Sequence, residues 1–338
     1  MEDFKDFEKF LFCDQKYSKW FDIIDVDFWV DRIIQLLSLR PLWIDRVHNL
    51  CQKYCENPEF REKLIEKSFN QCPVLLYRLF RSNVYFFQEI KPLVLNTRSV
   101  IPCYYFRKEF EDFEQLIRNK HKPWGLESLL SAAKDLDSLL EFGFIPNSTE
   151  YCLKYDDITV LRDQDRLDSN YLKWSPFEWS REPNSLELLV FSGYFGSIKC
   201  FKYLLLNGFS IDLNVKKSVI CGGNIDLFHL CIDFIPNVTP YICLASEFFH
   251  LPLIEYLLDK GIDINGGSSG ECIPLHYAAK KGHYSIAELL VQHGSQINSK
   301  SYENSMQTPL HCAADSGNLI VVRYLVQQGA NVNELDLS

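Results

Sequence analysis

Three residues able to bind a soft metal fall on one helical face early in the chain: His48, Cys51 and Cys55 in "HNLCQKYC". Spacings of three and four stack them one above another on an α-helix, so an imidazole and two thiolates could begin a zinc site. A structural zinc takes four ligands, and Cys72 is the conceivable fourth. A buried apolar stripe containing two small, reduced cysteines explains the same residues more simply, and no metal or other cofactor is assigned. The glycine-rich "NGGSSGE" at 265–271 lacks the Lys-Ser/Thr pair and preceding buried strand of a phosphate-binding loop. It reads as a tip between elements. The carboxylate pairs Asp135/Asp137 and Asp156/Asp157 read as turn or exposed helix positions. Nothing sets a nucleophile beside a base at a recognisable spacing, so the chain is read as non-enzymatic.

Composition narrows the classes further. In 338 residues, 47% are hydrophobic, including 25 Phe and 17 Tyr, which is enough for a large core. A net charge of −10 argues against nucleic acid, whose phosphates need a basic face. The start, "MEDFKDFEKFLFCDQ", is acidic where a secretion signal needs basic residues. Charges interrupt both of the most apolar stretches, at Asp25, Asp27, Asp31 and Arg32 and at Arg78, Arg81 and Glu89. Neither therefore reads as a membrane span. Twelve cysteines without a framework spacing suit a reducing compartment. The expectation is an intracellular, cytoplasmic protein that does not insert into membranes.

The elements that must organise these residues announce themselves by repetition. "CIPLHYAAKKGHYSIAELLVQHG" (272–294) is nearly restated as "TPLHCAADSGNLIVVRYLVQQG" (308–329), 35 positions on. In the second copy Thr308 can cap a helix that Pro309 begins, since proline's missing N–H is harmless at the first position. Gly317 ends that short helix, an apolar second helix returns, and Gly329 suits the left-handed residue beyond it. Ile273 stands where Thr308 does, so the earlier helix is expected to start less crisply, by about 1 kcal/mol if the cap is lost. Gly282 to Gly294 and Gly317 to Gly329 are each 12 residues. The same ruler fits Gly196 to Gly208 and Phe249 to Gly261, with further turns at Gly223-Asn224 and Asp156. From Asp156 the turn-to-turn steps are 40, 27, 26, 33 and 35.

These blocks resemble ankyrin repeats, whose consensus runs T-P-L-H-x-A-A-x-x-G-H, an apolar second helix, then L-L-x-x-G-A-x-V-N. Residues 273–298 and 308–333 match at most positions, Pro274, His276, Pro309 and His311 among them. The two histidines therefore read as structural, bonded within the repeat. A full repeat needs about 33 residues, so the 26- and 27-residue steps leave little room for a projecting hairpin. The mixture over roughly 125–338 is similar to a divergent ankyrin-like domain of unknown function found in large protist protein families. The expected fold is all-α: an ankyrin-type α-solenoid of helix–turn–helix repeats, with short β-hairpins only in the C-terminal repeats, preceded by an N-terminal helical domain. Its boundaries are expected at 1–124, 125–265 and 266–338, with the junction in "KHKPWGLESLL" at Pro123 and Gly125.

Residues 1 to about 120 show helical periodicity without the repeat, and four to six helices are expected there, with Pro41, Pro58, Pro73, Pro92 and Pro102 as punctuation. In the 40-residue step, Trp174, Phe177 and Trp179 either pin a polar insertion onto the solenoid or form an exposed anchor. Pinning is the favoured reading. Stacked repeats create a long concave face suited to binding. Ankyrin proteins use hairpin tips and the variable positions before the inter-helix turn. Those positions here are Tyr194 and Phe195, Glu247 and Phe248, Lys280 and Lys281, and Asp315 and Ser316, with Ser301, Tyr302 and Glu303 on a finger. The function expected is a scaffold or adaptor holding a protein or peptide partner. The alternative is an enzyme or regulatory protein whose activity resides in the N-terminal helical region, and self-association through that region is a third possibility.

Overall fold

The computed structural model describes residues 26–39, 44–123, 126–132, 135–163, 172, 174–178, 187–231, 239–265, 273–301 and 305–337. All regular structure among them is helical. The chain divides into two compact units, one including Leu153–Ile158 and Pro183–Ser338, the other Phe21–Cys152 and Thr159–Glu182. The expected junction at 124–125 lies outside the described residues.

In the repeat unit, helix pairs follow one another: Leu188–Phe195 with Ile198–Leu206, Leu213–Gly222 with Ile225–Cys231, Thr239–Glu247 with Leu251–Asp259, Pro274–Lys281 with Tyr284–Gln292, and Pro309–Asp315 with Leu319–Gln327. Each pair turns on one left-handed residue. The φ angles are 71° at Gly196, 66° at Gly223, 58° at Phe249, 68° at Gly282 and 69° at Gly317. Asp156, the expected first turn, has φ 57°. Glycine suits this position because a Cβ there meets the backbone. Phe249 adopts it nonetheless, at a cost of roughly 1–3 kcal/mol. Its ring is 2% exposed and meets the His283 ring edge-on at 4.9 Å, so burial offsets the strain.

A second column follows the turn. Ser197 Oγ donates to the Leu153 carbonyl of the preceding unit. Asn224 Nδ2 donates to Gly196 O at 3.0 Å, His250 Nε2 to Cys221 O at 2.8 Å and His283 Nε2 to Glu247 O at 3.0 Å. Asn318 Nδ2 reaches both Ala279 O and Lys280 O at 2.9 Å. Carbonyls at a helix C-terminus lack intrahelical partners, so each side chain satisfies one while locking two repeats in register.

The short central steps are achieved by close backbone approach. A Cβ built on Gly222 would overlap the Gly193 carbonyl oxygen and lie 2.7 Å from that of Tyr194. Helices Leu188–Phe195 and Leu213–Gly222 thus meet main chain to main chain, and only glycine allows it. Asp212 caps the second of them, accepting from Val215 N at 2.8 Å. The finger expected at the last junction is present as one antiparallel bridge, Ser301 with Gln307, and not as strands. The tip between 266 and 272 lies outside the described residues.

The other unit contains seven α-helices between Val26 and Ile117 among the described residues, one more than the upper expectation. Three of the prolines start helices rather than separating them, since Pro58, Pro73 and Pro102 sit in first turns. Pro92 lies inside helix Phe87–Asn96, and Pro41 is outside the described residues. Phe106 anchors the core, stacked on Phe69 at 6.4 Å and meeting Tyr77 and Phe80 edge-on at 6.2 and 5.7 Å. Among its described residues the insertion packs within this unit rather than on the repeats expected to hold it. Phe177 is 1% exposed, with Tyr104 at 5.9 Å and Tyr105 at 6.3 Å, and Trp174 lies edge-on to Phe144 at 5.9 Å. Trp179 is outside the described residues.

Candidate functional site

The positions before each turn form two columns with different fates. One step along a helix rotates a side chain by about 100°, so neighbours in sequence face different ways. Two residues before the turn stand Tyr194, Cys221, Glu247, Lys280 and Asp315. Tyr194 and Glu247 are half-buried, Cys221 is buried, and Lys280 and Asp315 are exposed. One residue before the turn, Phe195 and Phe248 are buried at 8% and 5%, and Lys281 is half-buried. Ser316 alone in that column is exposed, at the last repeat.

Phe195 and Phe248, expected to touch a partner, are therefore packing residues. Phe195 takes the Phe191 ring at 4.9 Å and the Tyr194 ring at 5.3 Å. Ser301 is likewise fully buried, its N–H bonded to Gln307 O at 3.0 Å. Tyr302 and Glu303 lie outside the described residues. Lys281 and Glu247 come together across adjacent repeats, with Nζ 3.4 Å from Oε1. That pair occupies the Lys281 charge, leaving Lys280 as the cation of the column that faces outward. Asp315 accepts from Gln307 Nε2 at 2.5 Å. The column thus runs from an aromatic at Tyr194, past buried Cys221, to Glu247, Lys280 and Asp315, whose charges alternate.

The two histidines of the first helices are held on both ring nitrogens. His276 Nδ1 accepts from Ile273 N at 3.2 Å, and His311 Nδ1 from Thr308 N at 3.2 Å. Nε2 then carries the proton and donates forward, from His276 to Ser299 O and Gln307 O at 3.1 and 3.2 Å, and from His311 to Glu334 O at 3.1 Å. Burial pushes the His276 imidazole below its ordinary range. Thr308 Oγ1 caps its helix as expected, accepting from His311 N at 3.4 Å, whereas Ile273 offers no such acceptor. Both rings are committed to holding the repeat, with no nitrogen left for chemistry. Pro274 and Pro309 start these helices, and Gly208, Gly261, Gly294 and Gly329, with φ of 90°, 72°, 87° and 94°, end the second ones.

The soft-ligand trio disperses. His48 Nε2 turns to Ser82 Oγ at 3.0 Å, and Cys55 Sγ pairs with the Tyr85 hydroxyl at 3.3 Å. Cys51 is fully buried near Cys55 and Cys72, and burial above all pushes its thiol up. Among the described residues no group of three or more His, Cys, Asp or Glu side chains is placed to hold a metal ion. No helix among them is long and apolar enough to cross a membrane. The functional column that sequence reasoning passed over is the bridging one, Ser197, Asn224, His250, His283 and Asn318. Its signal was a polar residue directly after every turn.

The family described as ankyrin repeats (3 copies) matches residues 182–301 and 242–336. Three curated relatives share shorter stretches. The palmitoyltransferase AKR1 of Lachancea kluyveri is 35% identical over 85 residues, 25% of this chain and 11% of that protein. The E3 ubiquitin-protein ligase Ufd4 of Drosophila melanogaster is 35% identical over 86 residues, and hecd-1, an E3 ubiquitin-protein ligase of Caenorhabditis elegans, 33% over 84. Each of these covers 25% of this chain and 3% of the relative. The chain thus spans about a tenth or less of the length of the relatives it matches. With the turn column and the two near-consensus blocks, these matches give the repeat unit its family: residues 182–336 are ankyrin repeats.

Proposed function

We propose that the chain is a non-catalytic scaffold or adaptor of the cytoplasm that holds a protein or peptide along the outward column of its repeats. Ankyrin repeats support protein–protein interaction in general. The observation that carries the finer reading is the column two residues before each turn, where Tyr194 is half-buried and Lys280 and Asp315 are exposed at successive helix ends. An aromatic with alternating charges supplies an anchor and a register for an extended partner. The transferase and ligase activities named for the relatives belong to proteins of which the match covers at most 11%. They are not carried over.

The double variant Tyr194→Ala/Lys280→Glu should abolish co-purification of bound proteins. Because Tyr194 also packs on the Phe195 ring at 5.3 Å, the single variant Lys280→Glu, at an exposed position, is the arm expected to weaken capture with the melting temperature unchanged. Undiminished capture by the double variant would remove the column from the binding surface.

A further inference from the structure

We propose that a cavity in the helical unit binds a small anion, an oxyanion of the carboxylate or phosphate type carried on a flat apolar body. The cavity measures about 450 Å³ and lies among helices Ile44–Tyr54, Pro73–Arg81 and Leu136–Phe142. That volume suits a small molecule. Tyr77 and Phe142 give it aromatic walls, and Arg78, Arg81 and His48 line the remainder together with carboxylates.

The charges identify the ligand's sign. Arg78 is engaged by Asp45 and, at 2.5 Å, by Glu141. Asp137 is held by Arg107 and Lys108. Three carboxylates are thus matched by three cations. Arg81 is left over. It sits one turn beyond Arg78 on the same helix face, and no carboxylate lies within ion-pair distance of it among the described residues. Its Nη1 donates to the Tyr77 hydroxyl oxygen at 3.2 Å, and its guanidinium carbon lies 5.8 Å from that ring's centroid. Asp137 and Glu141 are within electrostatic reach of Arg81, but each is already committed to another cation.

His48 and Ser82 satisfy each other at 3.0 Å, and Ser138 Oγ donates to Asp135 Oδ2 at 2.5 Å, so neither pair competes for the ligand. An oxyanion would take the spare N–H groups of Arg81, in the fork geometry that guanidinium offers to carboxylates and phosphates. Its apolar body would lie against Tyr77 and Phe142.

Isothermal titration of the full chain with phenyl phosphate, benzoate and inorganic phosphate tests this. At least one aromatic anion should bind saturably with one site per chain, inorganic phosphate more weakly, and the preferred probe separates the phosphate source from the carboxylate. Arg81 is exposed, so Arg81→Gln should melt as the wild type does and bind at least about tenfold more weakly. Lys202→Gln, at an exposed position of a second helix in the repeats, should bind normally. The proposal is overturned if neither aromatic anion saturates by about 10 mM, if Arg81→Gln binds like wild type, or if Lys202→Gln weakens binding equally. None of these outcomes bears on the partner surface of the repeats.

Discussion

The last two repeats and the central ones close the same helix pair with different residues. At 273–327, proline starts each first helix, a histidine ties its N-terminus, and that histidine's far nitrogen reaches main-chain carbonyls beyond the second helix. At 188–259 no first helix has that histidine, and an early proline is kept only in Thr239–Glu247, at Pro240. Asp212 caps one helix, Glu187 stands at an N-cap without a side-chain capping bond, and Gly193 and Gly222 let two helices touch through their backbones. What both regions keep is the left-handed turn residue and the polar bridge after it. The turn is the invariant of this fold, and the helix cap is the part that can be replaced.

Variants can break that contrast, beginning with the strongest. Gly222→Ala should destabilise the chain by about 1–3 kcal/mol or more, because its Cβ would overlap the Gly193 carbonyl and backbone cannot step aside. Gly294→Ala is the comparison: nothing lies within 4 Å of its Cβ position, so only the positive φ opposes it, at about 1 kcal/mol. Urea unfolding followed by circular dichroism ranks the two, and equal losses would show that close approach does not hold the central pair. Next, Asn224→Ala and Asn318→Ala should each lose about 1–2 kcal/mol by leaving carbonyls unsatisfied at the repeat junction. If only the second did, the bridge would be a property of the near-consensus repeats alone. Smallest is Thr308→Val, which keeps volume and removes the capping hydroxyl, for about 1 kcal/mol. A silent Thr308→Val would mean that the histidine alone holds that end, as at Ile273.

Much of the repeat was legible because its turn is a backbone requirement that leaves a spacing. The 12-residue ruler located Phe249, whose residue type gives no hint of a left-handed turn, and φ is 58° there. Asp156 was placed by the helix–turn–helix rhythm one unit upstream, and its carboxylate also accepts from Lys199 N and Cys200 N of the next unit at 2.8 and 3.0 Å. The candidate site was half legible. Treating Tyr194-Phe195 and Glu247-Phe248 as exposed pairs ignored the rotation between neighbouring helix positions, which turns the second member inward. Phe177 was assigned to the wrong surface because its contacts lie more than 70 positions upstream, at Tyr104 and Tyr105. Spacing carries no information about such a contact. The cavity around Arg78 and Arg81 is built from three helices distant in sequence, and its charge balance appears only when they are assembled.

The partner column is tested most directly by site-specific photocrosslinking in cells. A benzophenone side chain placed at Tyr194 or Lys280 is compared with the same group at Lys202 or Glu255, exposed positions on second helices. Light-dependent adducts from Tyr194 and Lys280, and none from Lys202 or Glu255, are the predicted result. Adducts confined to Lys202 and Glu255, or equal at all four, would contradict the account.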